Sequence, residues 1–136
     1  MHHKTIVVSV LLLCLLLLAT SCTHTAKVFD ENGNVLTLKL SGKERVSINN
    51  TKQTIYTAGT SKHNPILLWL DGGPGGSELA WVRKYLGPLH QHFTIVCWDQ
   101  RGVAASFSAA KKGNAVEDYV QDVVALSEYL DRKSVV

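Results

Sequence analysis

Two apolar runs dominate the hydrophobic pattern of this chain. Residues 66–70 read ILLWL and residues 93–98 read FTIVCW, and each run ends at an aspartate, Asp71 or Asp99. Unbroken runs of this length suit strands of a parallel sheet covered on both faces. Between them Leu79, Val82, Tyr85, Leu86 and Leu89 recur at spacings of three and four. That period predicts a helix with one buried face, opening at Ser77 or Glu78 and ended by Gly87 and Pro88. After the second run, Val116, Tyr119, Val120, Val123, Val124 and Leu130 predict the apolar face of a second helix reaching about Asp131. Asn114, with Glu117 three residues later, is a capping-box start for it.

The residues ahead of the first run alternate instead. Val46 and Ile48 flank Ser47, Ile55 stands among polar neighbours, and Asn49 and Asn50 supply a turn between residues 45–48 and 54–57. An antiparallel strand pair therefore opens the domain. A weaker hairpin, turning at Gly33, leads into it across residues 28–40. Strand, helix, strand, helix with fully apolar strands gives an α/β class, in which an antiparallel pair leads into parallel strands with flanking helices.

The first apolar run is followed by DGGPGG, residues 71–76. Glycines at the carboxyl end of a parallel strand allow a sharp turn and a close backbone approach to a ligand, at the end of the sheet where such folds keep their chemistry. Two uses compete. A dinucleotide fingerprint needs GxGxxG, and counted from Gly73 the sixth place is Glu78, although Asp99 could stand where a ribose-binding acid belongs. A Walker-type phosphate loop needs Lys and Ser or Thr after its last glycine, and here Ser77 and Glu78 follow. The other use of bare amides is an oxyanion hole, one of whose donors lies after the third strand in hydrolases built on an α/β sheet. Counting residues 45–48, 54–57 and 65–70 as strands makes this the third.

Composition changes the picture at the amino terminus. The chain has 136 residues. His2, His3 and Lys4 precede thirteen largely apolar residues, 6–18, and then Ala19, Thr20, Ser21 and Cys22. This is the pattern of a signal peptide, shorter than the roughly twenty residues of a membrane span. The small residues before Cys22 resemble a bacterial lipobox, which makes Cys22 the expected lipid attachment site and a membrane-anchored, exported lipoprotein the expected location, with ordinary cleavage to a periplasmic or secreted form, or a retained anchor, as the alternatives. Residues 1–22 are thus read as leader, 23–43 as tether and lead-in, and 44–136 as a partial catalytic-type domain. The formal charge of +3 carries no basic run of the nucleic-acid kind. Cys97, inside an apolar run with no basic neighbour, reads as a small buried hydrophobe, and no disulfide framework is implied.

Taken together, DGGPGG after ILLWL, WVRKYLGPL in the next helix, WDQRG after FTIVC and VEDYVQDV in the last helix resemble the proline-iminopeptidase-like branch of the α/β-hydrolase fold, over about residues 44–131. The resemblance implies a serine hydrolase that cleaves peptide or amide bonds, aminopeptidase-like, without a cofactor or metal. Its substrate would be a small peptide or amino-acid amide. Gly73 would be an oxyanion-hole donor within the loop of Gly72, Pro74 and Gly75. The chain departs from the family pattern at Asp71, where the family has His, and at Ala104 and Ala105, where it has glycine and a basic residue. The nucleophile elbow GxSxG is missing: Ser77 has Gly75 two places before it but Leu79 two places after. In this fold the acid and the histidine follow the serine, and the last histidine here is His92. The expectation is an amino-terminal half, cut before the nucleophile strand and inactive alone. A non-catalytic surface lipoprotein, a truncated reading frame without stable product and a dinucleotide-binding fragment are the alternatives.

Other residues take plain readings. His90 and His92 are expected as surface loop histidines rather than a metal pair. Asp99 is expected to hold its loop through Gln100 and Arg101. Two of Trp69, Trp81 and Trp98 are assigned to the core, and Arg83 and Lys84 to a solvated helix face.

Overall fold

The computed structural model describes residues 27–72, 76–108 and 115–134. The leader with Cys22, the loop residues Gly73, Pro74 and Gly75, and Asn114 lie outside the described residues. The described chain forms one mixed sheet of four strands with helices on both faces. The strands are β1 Leu40–Ile48, β2 Thr51–Gly59, β3 Ile66–Trp69 and β4 Thr94–Asp99, in the order β1-β2-β4-β3. β1 with β2 and β2 with β4 are antiparallel, and β3 with β4 is parallel. Helix α1 is Leu79–Tyr85 and helix α2 is Val116–Ser134.

The hairpin between β1 and β2 turns on Asn49 and Asn50, at φ 42° and 60°. Two successive residues at positive φ match the right-handed twist of the strands they join, and asparagine tolerates that region better than most residues. Both strands run several residues beyond the segments alternation marked, because paired backbone continues where the side-chain pattern lapses. The lead-in hairpin is reduced to one antiparallel bridge, Phe29 with Val35, around Gly33 at φ 81°. Its backbone lies so close to the turn after α1 that a Cβ on Gly87 would stand 2.1 Å from the Phe29 carbonyl oxygen.

Alternation along β4 divides the core in two. Val96 and Trp98 face α2 and pack with Val46, Ile48, Ile55, Leu126 and Leu130. Ile95 and Cys97 face α1, where Val82 is buried and Leu79, Leu86 and Leu89 pack against the cluster. β4 is buried along its whole length, as an apolar strand with neighbours on both sides should be. β3 is only half-buried: it has β4 on one side and no strand on the other among the described residues, as a third strand without its next neighbour would.

The apolar spacing holds for Leu79, Val82, Leu86 and Leu89, which pack on the sheet, and fails at Tyr85 and along part of the second helix. In α1 Tyr85 is 55% exposed. The helix stops at Leu86, and Gly87–Gln91 continue as a 3₁₀ turn that swings Leu89 back to the sheet. In α2 the buried line is Asp122, Leu126 and Leu130, while Val116, Val120 and Val124 form an exposed stripe. The polar Asp122 belongs to the buried line because it has four donors. Arg101 Nε and Nη2 approach it at 2.6 Å each, Gln53 Nε2 at 2.6 Å and Asn49 Nδ2 at 2.9 Å. A buried carboxylate is tolerated when it is paired and hydrogen-bonded to this extent, and these bonds hold its pKa low against the opposing effect of burial.

Candidate functional site at the carboxyl ends of β3 and β4

β3 and β4 are parallel neighbours, so their terminal aspartates and the loops that follow emerge at one edge of the sheet. Asp71 and Asp99 are both buried. The loops are joined directly, Gln100 Nε2 donating to the Asp71 carbonyl at 3.4 Å. The loop after β4 is fixed from several sides. Asp99 Oδ2 accepts from the Ala105 amide at 3.2 Å and from the Tyr56 hydroxyl at 3.3 Å. Ser106 donates its hydroxyl to the Asp99 carbonyl at 2.5 Å and accepts from the Thr54 amide at 2.7 Å. Asp99 therefore holds its loop, but through Ala105 rather than Gln100 and Arg101. Arg101 turns away, to Asp122 and to Asp118 at 3.3 Å, and ties the loop to α2.

The turn after β3 is built on a shorter circuit. Asp71 Oδ2 accepts from the Glu78 amide at 3.3 Å, and Glu78 Oε1 accepts from the Gly72 amide at 3.4 Å. Glu78 Oε2 accepts from Trp69 Nε1 at 2.8 Å. Asp71 Oδ1 is buried and has no hydrogen-bond partner. Burial pushes the Asp71 carboxyl up, and the negative charges of Glu78 and Asp99 add to the rise. The same surroundings push the Cys97 thiol up to about 12, burial first and then Asp71. Such a thiol stays protonated at neutral pH and is no nucleophile. Beside Glu78 the rings of Trp69 and Trp81 stack at 5.5 Å, and Tyr85 follows Trp81 at 5.1 Å.

Of the residues singled out in the sequence, the structure brings Gly72 and Asp71 to this edge, with Asp99 beside them. Gly73, Pro74 and Gly75 lie outside the described residues. Glu78, read as a helix start and as the residue that breaks the nucleotide-loop patterns, is the residue that closes the turn. It lies seven positions from Asp71, a spacing that matches no capping pattern, so sequence gave it no signal beyond its charge. A carboxylate bonded to the Gly72 amide is also the wrong neighbour for a pyrophosphate, which argues against dinucleotide binding. His90, expected at the surface, is 1% exposed, its Nδ1 against the carbonyls of Leu86 and Gly87 at 3.1 and 3.2 Å. His92 is exposed, and no cluster able to hold a metal ion occurs among the described residues. Trp98 is fully buried, Trp69 half-buried and Trp81 47% exposed. Of the helix-face pair, Lys84 is exposed and Arg83 half-buried.

A hollow of about 900 Å³ opens elsewhere, between Leu40, Ile55, Ile66, Thr94 and Leu130. Ile66 and Thr94 begin their strands, so this hollow lies at the opposite end of the sheet from the glycine turn.

The fold and this edge define an α/β protein with a glycine-rich turn and a tightly anchored loop at adjacent parallel strand ends. In comparison with known proteins, the chain is similar to a probable aminopeptidase, YbaC, of Bacillus subtilis (strain 168), at 37% identity over 89 residues. The matched stretch is 64% of this chain and 28% of that protein, so the chain spans under a third of its relative's length. The similarity supports a peptidase-like relationship. No family model matches the chain. No solved structure matches it either. Among the described residues no helix is long and apolar enough to cross a membrane.

Proposed function

We propose that this chain supplies the amino-terminal part of a serine peptidase of the α/β-hydrolase type, aminopeptidase-like in the complete protein. The observation that carries the reading is the strand order β1-β2-β4-β3, with the glycine turn and the Asp99 loop on neighbouring parallel strands. A glycine-rich loop after the third strand is where such a hydrolase draws one oxyanion donor. The likeness to the probable aminopeptidase supports the same reading. Gly73 is the proposed donor. Loss of one such donor costs about 3–4 kcal/mol of barrier.

A polypeptide of these 136 residues has no serine with glycine two places away on both sides and no histidine after His92. The turn can prepare for an oxyanion but nothing in the chain can generate one. Purified chain is therefore expected to release no arylamine from amino-acid arylamides above the buffer rate. Turnover that a serine-directed reagent abolishes would overturn this. Anchoring through a lipid on Cys22 remains part of the proposal and is checked by incorporation of labelled fatty acid, lost in Cys22→Ser.

A further inference from the structure

We propose that the outer edge of β3 receives a second copy of this chain, which pairs its own β3 antiparallel to it about a two-fold axis and extends the sheet. The pairing belongs to the polypeptide of these 136 residues and stands apart from the aminopeptidase-like reading. Residues 66–70, ILLWL, carry no charge and no proline, and no strand covers their outer side among the described residues. Sheet edges are ordinarily blunted by lysine, proline or a bulge. Here Pro65 stands just before the run and the turn at Asp71 just after it, so the residues between them stay open to pairing.

Both faces beside this edge are apolar as well. Trp81 stacks on Trp69 of β3 at 5.5 Å, Tyr85 follows Trp81, and the two are 47% and 55% exposed. On the other face Val116, Val120 and Val124, each half-exposed or more, lie four apart along one flank of α2. Tyr129 reaches from the opposite flank to Glu44 of β1, the far edge of the sheet, so the valines are turned towards β3. With the exposed Leu70 these side chains give the molecule one apolar side. A single added peptide strand would cover the edge and neither helix. A two-fold axis normal to the sheet covers all three, because it sets α1 beside α1 and α2 beside α2, so that each patch meets its own copy.

Charge agrees with the antiparallel direction. Lys62 is exposed just before β3, Glu78 is half-buried just beyond its end, and neither enters an ion pair. The ion pairs among the described residues join Arg101 to Asp118 and Asp122, and Arg132 to Glu128. Parallel strands would set like ends together. Antiparallel strands bring Lys62 of each copy to the acidic end of the other, at Asp71 and Glu78, and opposite charges placed so fix the register.

The test is sedimentation equilibrium of the full chain from about 1 to 100 μM, a range that brackets the weaker interfaces of this kind, with hydrogen exchange measured at the amides of residues 66–70. A dimer is expected, and exchange at those amides should slow as the dimer fills. Leu70→Lys and Val120→Lys, both at exposed positions, should each weaken dimerisation by about tenfold or more, since each sets a charge inside the interface. Lys62→Glu should weaken it as well, and added salt should loosen the parent dimer. Circular dichroism matching the parent shows that a variant keeps its fold, and Lys62→Glu, in an exposed loop, decides the matter if the other two do not. A monomer throughout, open-ended growth beyond the dimer, or unchanged association in the folded variants would overturn the proposal. So would a dimer whose amides at residues 66–70 exchange at the monomer's rate, the mark of association through the apolar leader. A monomer would leave the aminopeptidase-like reading untouched.

Discussion

β3 and β4 begin from the same kind of sequence and finish differently. Each is a short apolar run with a tryptophan near its end, an aspartate after it and a loop beyond. β4 has strands on both sides, is buried throughout, and its aspartate accepts an amide and a hydroxyl. β3 stands at the edge, is half-buried, and its aspartate keeps one buried oxygen without a donor. Apolar composition makes a strand, but only its neighbours decide whether the strand is core. The settled loop has its acceptors met, and the other leaves one acceptor unmet. Edge strands with this composition are prone to pair with other chains, which is the side on which a hydrolase of the proposed type would continue its sheet.

The sharpest way to break the comparison is to truncate the matching tryptophans. Trp98 is fully buried and donates to Gln53 Oε1 at 2.8 Å, and Trp69 is half-buried and donates to Glu78 at the same distance. Trp98→Ala is expected to cost about 3–5 kcal/mol, the range for large core truncations, and so to unfold most of the chain. Trp69→Ala is expected to cost well under half of that, because solvent already reaches its surroundings. Urea titration of both variants checks the ratio. Equal losses would mean that β3 is as much core as β4.

The aspartates give the second contrast, and here the sign differs. Burial raises the Asp71 pKa above its ordinary value. In the window between the unfolded pKa and the raised folded one, the native state holds more protons than the unfolded state. Stability from this group is then greatest at low pH and falls as pH rises through that window. Asp71→Asn removes the charge and places amide hydrogens near two acids. Its melting temperature should exceed that of the parent at pH 7, with the gap closing towards pH 3. Asp99→Asn should melt lower than the parent at pH 7, since a neutral acceptor binds the Ala105 amide less strongly than a carboxylate does. Thermal melts at the two pH values test both, and a lower melting temperature for Asp71→Asn at pH 7 would contradict the account.

Much of the fold could be read from residue pattern because it depends on short-range periodicity. The two apolar runs, the Asn49–Asn50 turn and the stop at Gly87–Pro88 all appear where sequence placed them. What could not be read depends on contacts distant in sequence. Asp122 is buried because Gln53, Asn49 and Arg101 reach it from residues 21 to 73 positions away. That anchoring displaced the expected valine face of α2. Likewise, Glu78 closes the turn after β3 through a geometry no local spacing announces, and His90 is buried by the 3₁₀ turn that carries it. The candidate site was legible as a glycine turn, but not as an acidic one.

The smallest effect concerns a departure that sequence did mark. Ala104 stands where the resembled family has glycine, and its φ is 37°, in the left-handed region that side chains avoid. The strain is imposed by the loop's fixed ends. Val103 donates its amide to the Gln100 carbonyl at 3.0 Å, and the Ser106 amide reaches the Val103 carbonyl at 2.7 Å, while Ala105 is drawn to Asp99. An L-residue in this conformation costs roughly 1–2 kcal/mol, and glycine recovers part of that after its own greater loss of chain entropy. Ala104→Gly is expected to stabilise the chain by about 0.5–1 kcal/mol, measured by urea titration. The Asp99 loop would then be relaxed as well as anchored, further from the turn after β3. A destabilised Ala104→Gly would show instead that alanine at this position contributes packing that outweighs its backbone strain.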